Sequence, residues 1–299
     1  MYLITGAGGG IGGVSRLVVQ ELRSRGEEVR AMVHRDDERA DSLRALGAEV
    51  VVGDLTEPQD VVDAITGADR MFFSMSVSPD YLQATAVVCA AARESGGLEV
   101  IVNMSQMTVS QMTLTSTDES RQHRLHWLAE HVIDWSGVPA VHVRPTAFLD
   151  NPIFTSLAAP ALRERNELVL PFGTGRTSPI AASDVARVVS AVLLNPADHL
   201  GAVYELTGPA SLDVDGLAAE YGRGLGRPIT GADIAQDTWV SDVLQPLGLP
   251  THVQQHLATM AKLHRAGRYD RSTDDVERIT GRPAVSVEQY IAANPQLFA

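Results

Sequence analysis

The first 150 residues alternate short β-branched runs with longer stretches in which apolar residues recur every three or four positions. The runs Tyr2–Thr5, Val29–His34, Glu49–Val52, Arg70–Ser74, Val100–Met104 and Ala140–Val143 predict strands. Between them, Ser15–Ser24, Asp37–Leu46, Pro58–Thr66, Asp80–Glu94 and Ser120–Trp135 predict helices. Near-continuous apolar strands separated by helical stretches belong to a parallel sheet covered on both faces. The pattern therefore predicts an α/β fold, a Rossmann-like doubly wound parallel sheet of six strands and five crossovers.

Beyond Pro145 the alternation fades, and helical stretches at Asp184–Leu194, Leu212–Tyr221, Thr238–Leu247 and Thr251–Arg265 predominate. This predicts a Rossmann domain over residues 1–150 and a smaller, mainly helical, substrate-binding lobe over 151–299. The short runs Leu168–Leu170 and Val203–Leu206 are candidates to return to the edge of the main sheet.

Composition narrows the function classes. The 299 residues carry 24 Lys plus Arg against 37 Asp plus Glu, a net charge of −13, which gives no footprint for nucleic acid or an anionic membrane surface. No window offers the roughly 18 apolar residues of a membrane span, and Gly6 interrupts the chain too early for a signal-peptide core. The single cysteine, Cys89, lies in an apolar stretch and reads as a buried hydrophobe. A cytoplasmic protein is expected.

The strand Tyr2–Thr5 runs into Gly6-Ala7-Gly8-Gly9-Gly10-Ile11-Gly12-Gly13, and a helix follows. A backbone without side chains lets a pyrophosphate approach, and the amides at the helix start attract it. Two registers fit, Gly6/Gly9/Gly12 and Gly8/Gly10/Gly13. The first opens directly after the strand and is taken here, with Gly10 and Ile11 in the same loop. At the end of the second strand, where an NAD site usually places an acid, stand His34 and Arg35. A guanidinium pairs well with a 2′-phosphate, so NADP(H) is favoured over NAD(H), although the acids of Asp36-Asp37-Glu38 leave NAD(H) open. Asp54, followed by Leu55, could accept from the adenine amino group or serve as a turn residue. Ser74 and Met75 would flank the adenosine ribose.

These residues resemble the NmrA-like branch of the atypical short-chain dehydrogenases, which includes NADPH-dependent quinone reductases and catalytically silent redox sensors. The resemblance spans the chain and rests on Thr5-Gly6-Ala7 through Gly12, Val29–Val33, Gly47–Leu55, Ser136–Pro139 leading to Arg144–Asn151, Ile180–Ala186, Tyr204–Pro209 and Leu225–Arg227. It implies that Asn103, Met104 and Ser105 line the nicotinamide with Thr146 beside it. By the same resemblance, Phe148, Asn151, Phe154 and Phe172 face the substrate cleft.

The chain departs from the Tyr-x-x-x-Lys pair of active short-chain dehydrogenases. None of its six tyrosines lies between Ser105 and Trp135, and its only lysine is Lys262. The helix after the fifth strand instead carries His126 and Glu130 on one face. A carboxylate beside the imidazole would raise its pKa, which makes His126 the candidate proton donor, with Ser105 as a hydroxyl toward the substrate carbonyl. No third ligand accompanies the helix histidines, so no metal is expected. The reading is an NAD(P)H-dependent reductase of a quinone or conjugated carbonyl, with a small aromatic or quinone substrate. A non-enzymatic redox sensor and an aromatic-polyketide tailoring oxidoreductase are the alternatives. The exposed helix faces permit a homodimer without requiring one.

Overall fold

The structure, a computed structural model, describes residues 1–8 and 13–298. Strands β1 (Tyr2–Ile4), β2 (Val29–Val33), β3 (Glu49–Val52), β4 (Arg70–Phe73), β5 (Val100–Met104) and β6 (Ala140–Pro145) form as the β-branched runs predict. They are followed by β7 (Glu167–Leu170), β8 (Val203–Leu206) and β9 (Thr230–Asp233). The main sheet has seven parallel strands in the order β3-β2-β1-β4-β5-β6-β8. Chain direction across the sheet reverses between β1 and β4, which opens a crevice at their carboxyl ends.

The helices that cover this sheet are α1 (Val14–Ser24), α2 (Glu38–Ala45), α3 (Pro58–Ile65), α4 (Tyr81–Ser95) and α5 (Arg121–Ser136). Later come α6 (Ala159–Arg165), α7 (Ala182–Leu194), α8 (Val214–Leu225), α9 (Gln236–Trp239), α10 (Thr251–Arg265), α11 (Asp275–Thr280) and α12 (Val287–Ala293). Side chains alternate along each strand, so Ile4, Ala31, Phe72, Val102 and Val143 meet α1 and α7 on one face. Leu3, Met32, Met71, Phe73 and Ile101 meet α3, α4 and α5 on the other. A third apolar cluster, built from residues 147–298, forms the core of the helical lobe.

Of the two late runs expected at the sheet edge, Val203–Leu206 is there, as β8 beside β6. Leu168–Leu170 is not: it belongs to β7, which pairs with β9 in a separate two-stranded sheet. Its partner strand, Thr-Gly-Ala-Asp, has no apolar alternation to announce it. The helix expected over Thr238–Leu247 is broken into α9, a wide turn at Val240–Leu244 and a tight one at Gln245–Leu247. Pro246 supplies no N–H to continue it, and Gly248 in the left-handed region ends it. No described helix is long and apolar enough to cross a membrane.

Candidate functional site

The crevice is built around Gly6. Its φ of +69° is a left-handed conformation, and a Cβ there would lie 2.6 Å from the Ser74 carbonyl oxygen, so β1 and β4 can close together only on glycine. Thr5 fastens the same junction: its Oγ1 donates to Ser74 O (2.8 Å) and accepts from Ser74 N (2.9 Å). Gly13, also left-handed, opens the 11-residue α1, and among the described residues no side chain caps its first amides. Gly9, Gly10, Ile11 and Gly12 lie outside the described residues.

A cavity of about 500 Å³ extends from Gly6 and Gly8 past the ends of β2 and β3. His34, Arg35, Asp54, Leu55, Ser74 and Met75, the residues read from the sequence as cofactor-binding, all line it. Arg35 is exposed and makes no ion pair among the described residues. Arg39 also lines the cavity, a residue the sequence reading missed although it follows Arg35 by four positions at the start of α2. It donates from Nη1 to Gly8 O at 2.7 Å and pairs with Asp37. Asp54 serves first as a turn residue, its Oδ1 accepting from Thr56 N and Thr56 Oγ1 at 2.8 Å each. Those bonds hold its carboxyl below the ordinary range, and Oδ2 lies 3.8 Å from His34 Nδ1.

A second cavity, about 360 Å³, shares Gly6, Ser74, Met75 and Ser76 with the first, so the two join where the strand order reverses. Met104, Ser105 and Gln106 enter it from the end of β5, and Thr146, Phe148 and Asn151 from the segment after β6. His123 and His126 come from α5, and Leu257, Met260 and His256 from α10. Among the described residues, no Asp, Glu, Lys or Arg lines it.

Three expected residues are elsewhere. Asn103 shares the sheet face of Ile101 and is turned under α5, where its Nδ2 meets His142 Nδ1 at 3.0 Å and His142 Nε2 meets Asp134 at 3.0 Å. Phe154 and Phe172 are fully buried in the lobe, packed edge to face at 5.8 Å. Phe172 stacks on His264 (4.0 Å), and His264 in turn on Tyr269 (3.9 Å), the residue that reaches the cavity wall. Both phenylalanines are core residues and do not face the cleft.

The proposed service of Glu130 to His126 is also corrected. Glu130 is engaged by Arg144, with Nε to Oε1 at 2.9 Å and Nη2 to Oε2 at 2.5 Å. His126 packs against Tyr81 with the rings tilted and their centroids 4.4 Å apart, and burial pushes its pKa down to about 3, against a smaller upward pull from Glu130. Its imidazole is therefore neutral near pH 7, able to donate a hydrogen bond but carrying no exchangeable second proton. Burial likewise lowers His123 well below its usual value and His256 to about 4. Among the site residues missed from the sequence, His123 had a signal, its three-residue spacing from His126 on one helix face. His256 and Tyr269 had none, since only the closure of the lobe brings them in.

Known proteins resemble this chain in sequence and fold. A family model of NAD(P)H-binding proteins covers residues 7–196. The NAD(P)H azoreductase of Xenophilus azovorans is 27% identical over 292 residues, 97% of each chain. The (4-alkanoyl-5-oxo-2,5-dihydrofuran-3-yl)methyl phosphate reductase of Streptomyces griseus subsp. griseus is 28% identical over 299 residues, 100% of this chain and 99% of that one. The NADPH complex of an Escherichia coli NADPH-dependent quinone oxidoreductase superposes with a TM-score of 0.83 at 22% identity, over 98% of this chain and 99% of that one, a likeness of fold.

Proposed function

Because the chain belongs to the NAD(P)H-binding family and has the NmrA-like fold, we propose that it is an NADPH-dependent reductase acting on quinones or other conjugated carbonyl compounds. The observation that carries this reading is the junction of the two cavities at Gly6 and Ser74. One side is lined by Arg35 and Arg39 together with Asp37, Asp54 and Asp80; the other has no Asp, Glu, Lys or Arg among the described residues and is walled by α10.

The residues present fit a pyridine dinucleotide. Gly6 forms a cradle that a Cβ would fill, and among the described residues α1 starts without a side-chain cap and Ser105 Oγ and Thr146 Oγ1 are buried with no partner. Gly6, Gly13 and the first amides of α1 would hold the diphosphate. Arg35 and Arg39 would take the 2′-phosphate, which supports NADPH over NADH. Leu55, Ser74, Met75 and the free Oδ2 of Asp54 would border the adenosine, and Met104, Ser105 and Thr146 the nicotinamide. When bound, NADPH supplies a hydride, so that quinone, NADPH and one proton become hydroquinone and NADP⁺. Phe148, Asn151, Leu257 and Met260 confine the acceptor. His126 steadies its oxygen by a hydrogen bond, and the balancing proton comes from water.

Titration with NADPH and NADH, followed by a quinone panel monitored through loss of reduced-nicotinamide absorbance, tests the reading. Tighter binding of NADPH and quinone-dependent oxidation support it. Binding without turnover of any quinone or enone would replace it with a redox sensor.

A further inference from the structure

Three residues that line the second cavity carry side-chain N–H groups that are buried and have no partner among the described residues. Gln122 Oε1 accepts from Ser78 N at 3.2 Å, which turns its Nε2 toward His126 Nε2 at 3.3 Å. That nitrogen is thus an acceptor, and the imidazole proton is on Nδ1, a buried atom with no partner. Gln106 is oriented in the same way. Its Oε1 accepts from Thr108 Oγ1 (2.7 Å) and Thr108 N (3.3 Å), leaving Nε2 as a buried, unpartnered donor.

The third group is His123. Ser120 Oγ lies 2.6 Å from His123 Nδ1 and 3.0 Å from His256 Nδ1, and one hydroxyl proton can serve only one of them. The 2.6 Å contact suits a hydroxyl donor, and we assign Ser120 as donating to His123 and accepting from His256. His123 then carries its proton on Nε2, which is buried and has no partner. Leaving a buried donor unmatched is unfavourable. Three of them in one uncharged cavity are groups waiting for acceptor atoms.

Resting on the reductase reading and narrowing it, we infer that the second cavity selects uncharged, acceptor-rich conjugated carbonyl compounds, whose oxygens receive the N–H groups of Gln106, His123 and His126, and rejects anionic analogues. Among the described residues no Lys or Arg lines the cavity to offset the desolvation of a phosphate or sulfonate. The chain would thereby differ in substrate from a relative named for a phosphate ester.

The test uses the full chain loaded with NADP⁺, so that binding is read without turnover. Calorimetry compares 1,4-naphthoquinone, 1,4-naphthoquinone-2-sulfonate and naphthalene, and ¹⁵N spectra follow the imidazoles. The quinone is expected to bind at least tenfold more tightly than either of the others and to shift the His123 and His126 resonances. Gln106→Leu and His123→Phe should each weaken the quinone about tenfold while leaving the NADPH affinity within twofold. Sulfonate or naphthalene binding as tightly as the quinone, or no binding of any of the three, overturns the inference; because these arms use the wild-type chain, misfolding of a variant does not blunt them. Selective quinone binding with no NADPH oxidation would instead remove the reductase reading and leave the inference standing.

Discussion

Arg144 on β6 grips Glu130 on α5 through two parallel hydrogen bonds, and the carboxylate side chain is only 4% exposed. The pair ties the sheet to the helix that carries His123 and His126, and it commits the acid to a guanidinium instead of an imidazole.

Removing one partner of such a pair strands the other charge in the interior. Glu130→Gln should therefore lower the unfolding free energy by about 3 kcal/mol. Urea unfolding measures this, and Glu130→Leu combined with Arg144→Met should restore much of the loss.

Gly6→Ala places a methyl group against the Ser74 carbonyl in a left-handed backbone conformation. The conformational term alone is about 1–2 kcal/mol, and relief of the clash must part β1 from β4. A fall in Tm together with at least tenfold weaker NADPH binding is expected. Unchanged affinity would detach this junction from the cofactor.

Arg35→Ala should weaken NADPH by about 10- to 100-fold, the loss of one charged hydrogen-bonding partner, and leave NADH nearly unchanged. Arg39→Ala should reduce both, because Arg39 also supports the Gly8 carbonyl. Parallel fluorescence titrations with the two coenzymes distinguish these patterns.

Acid should destabilise the protein through its buried histidines. His126, His256 and His264 have folded pKa values of about 3, about 4 and about 3, below the ordinary 6.5. Below pH 6.5 the unfolded chain takes up protons that the folded chain excludes. Their neutral forms thus favour folding fully above pH 6.5, and that contribution fades as the pH falls toward 4. Each such residue costs about 2 kcal/mol at about pH 5. Tm measured from pH 8 to pH 5 should drop accordingly, and His264→Phe, which keeps the stack between Phe172 and Tyr269, should flatten part of the slope. The neutral His126 also predicts a kcat/KM profile without an imidazole inflection near pH 6.5.

The sheet strands and the glycine turn at Gly6 were legible because each depends on near neighbours in the chain. Period-two and helical periodicities and a turn that needs glycine are written within a few residues. Glu130 shows the limit: its four-residue spacing from His126 is real, yet the stronger partner stands on another element. Phe172 shows another, since aromatic character is the same in a cleft wall and in a core.

The sequence by itself determined the doubly wound sheet, because local periodicity dictates which faces must be buried. Only the tertiary structure decided what lines the second cavity. His256 and Tyr269 reach it when the lobe closes over α5, and the protonation of its histidines follows from how much water that closure excludes, a quantity set by packing among distant segments.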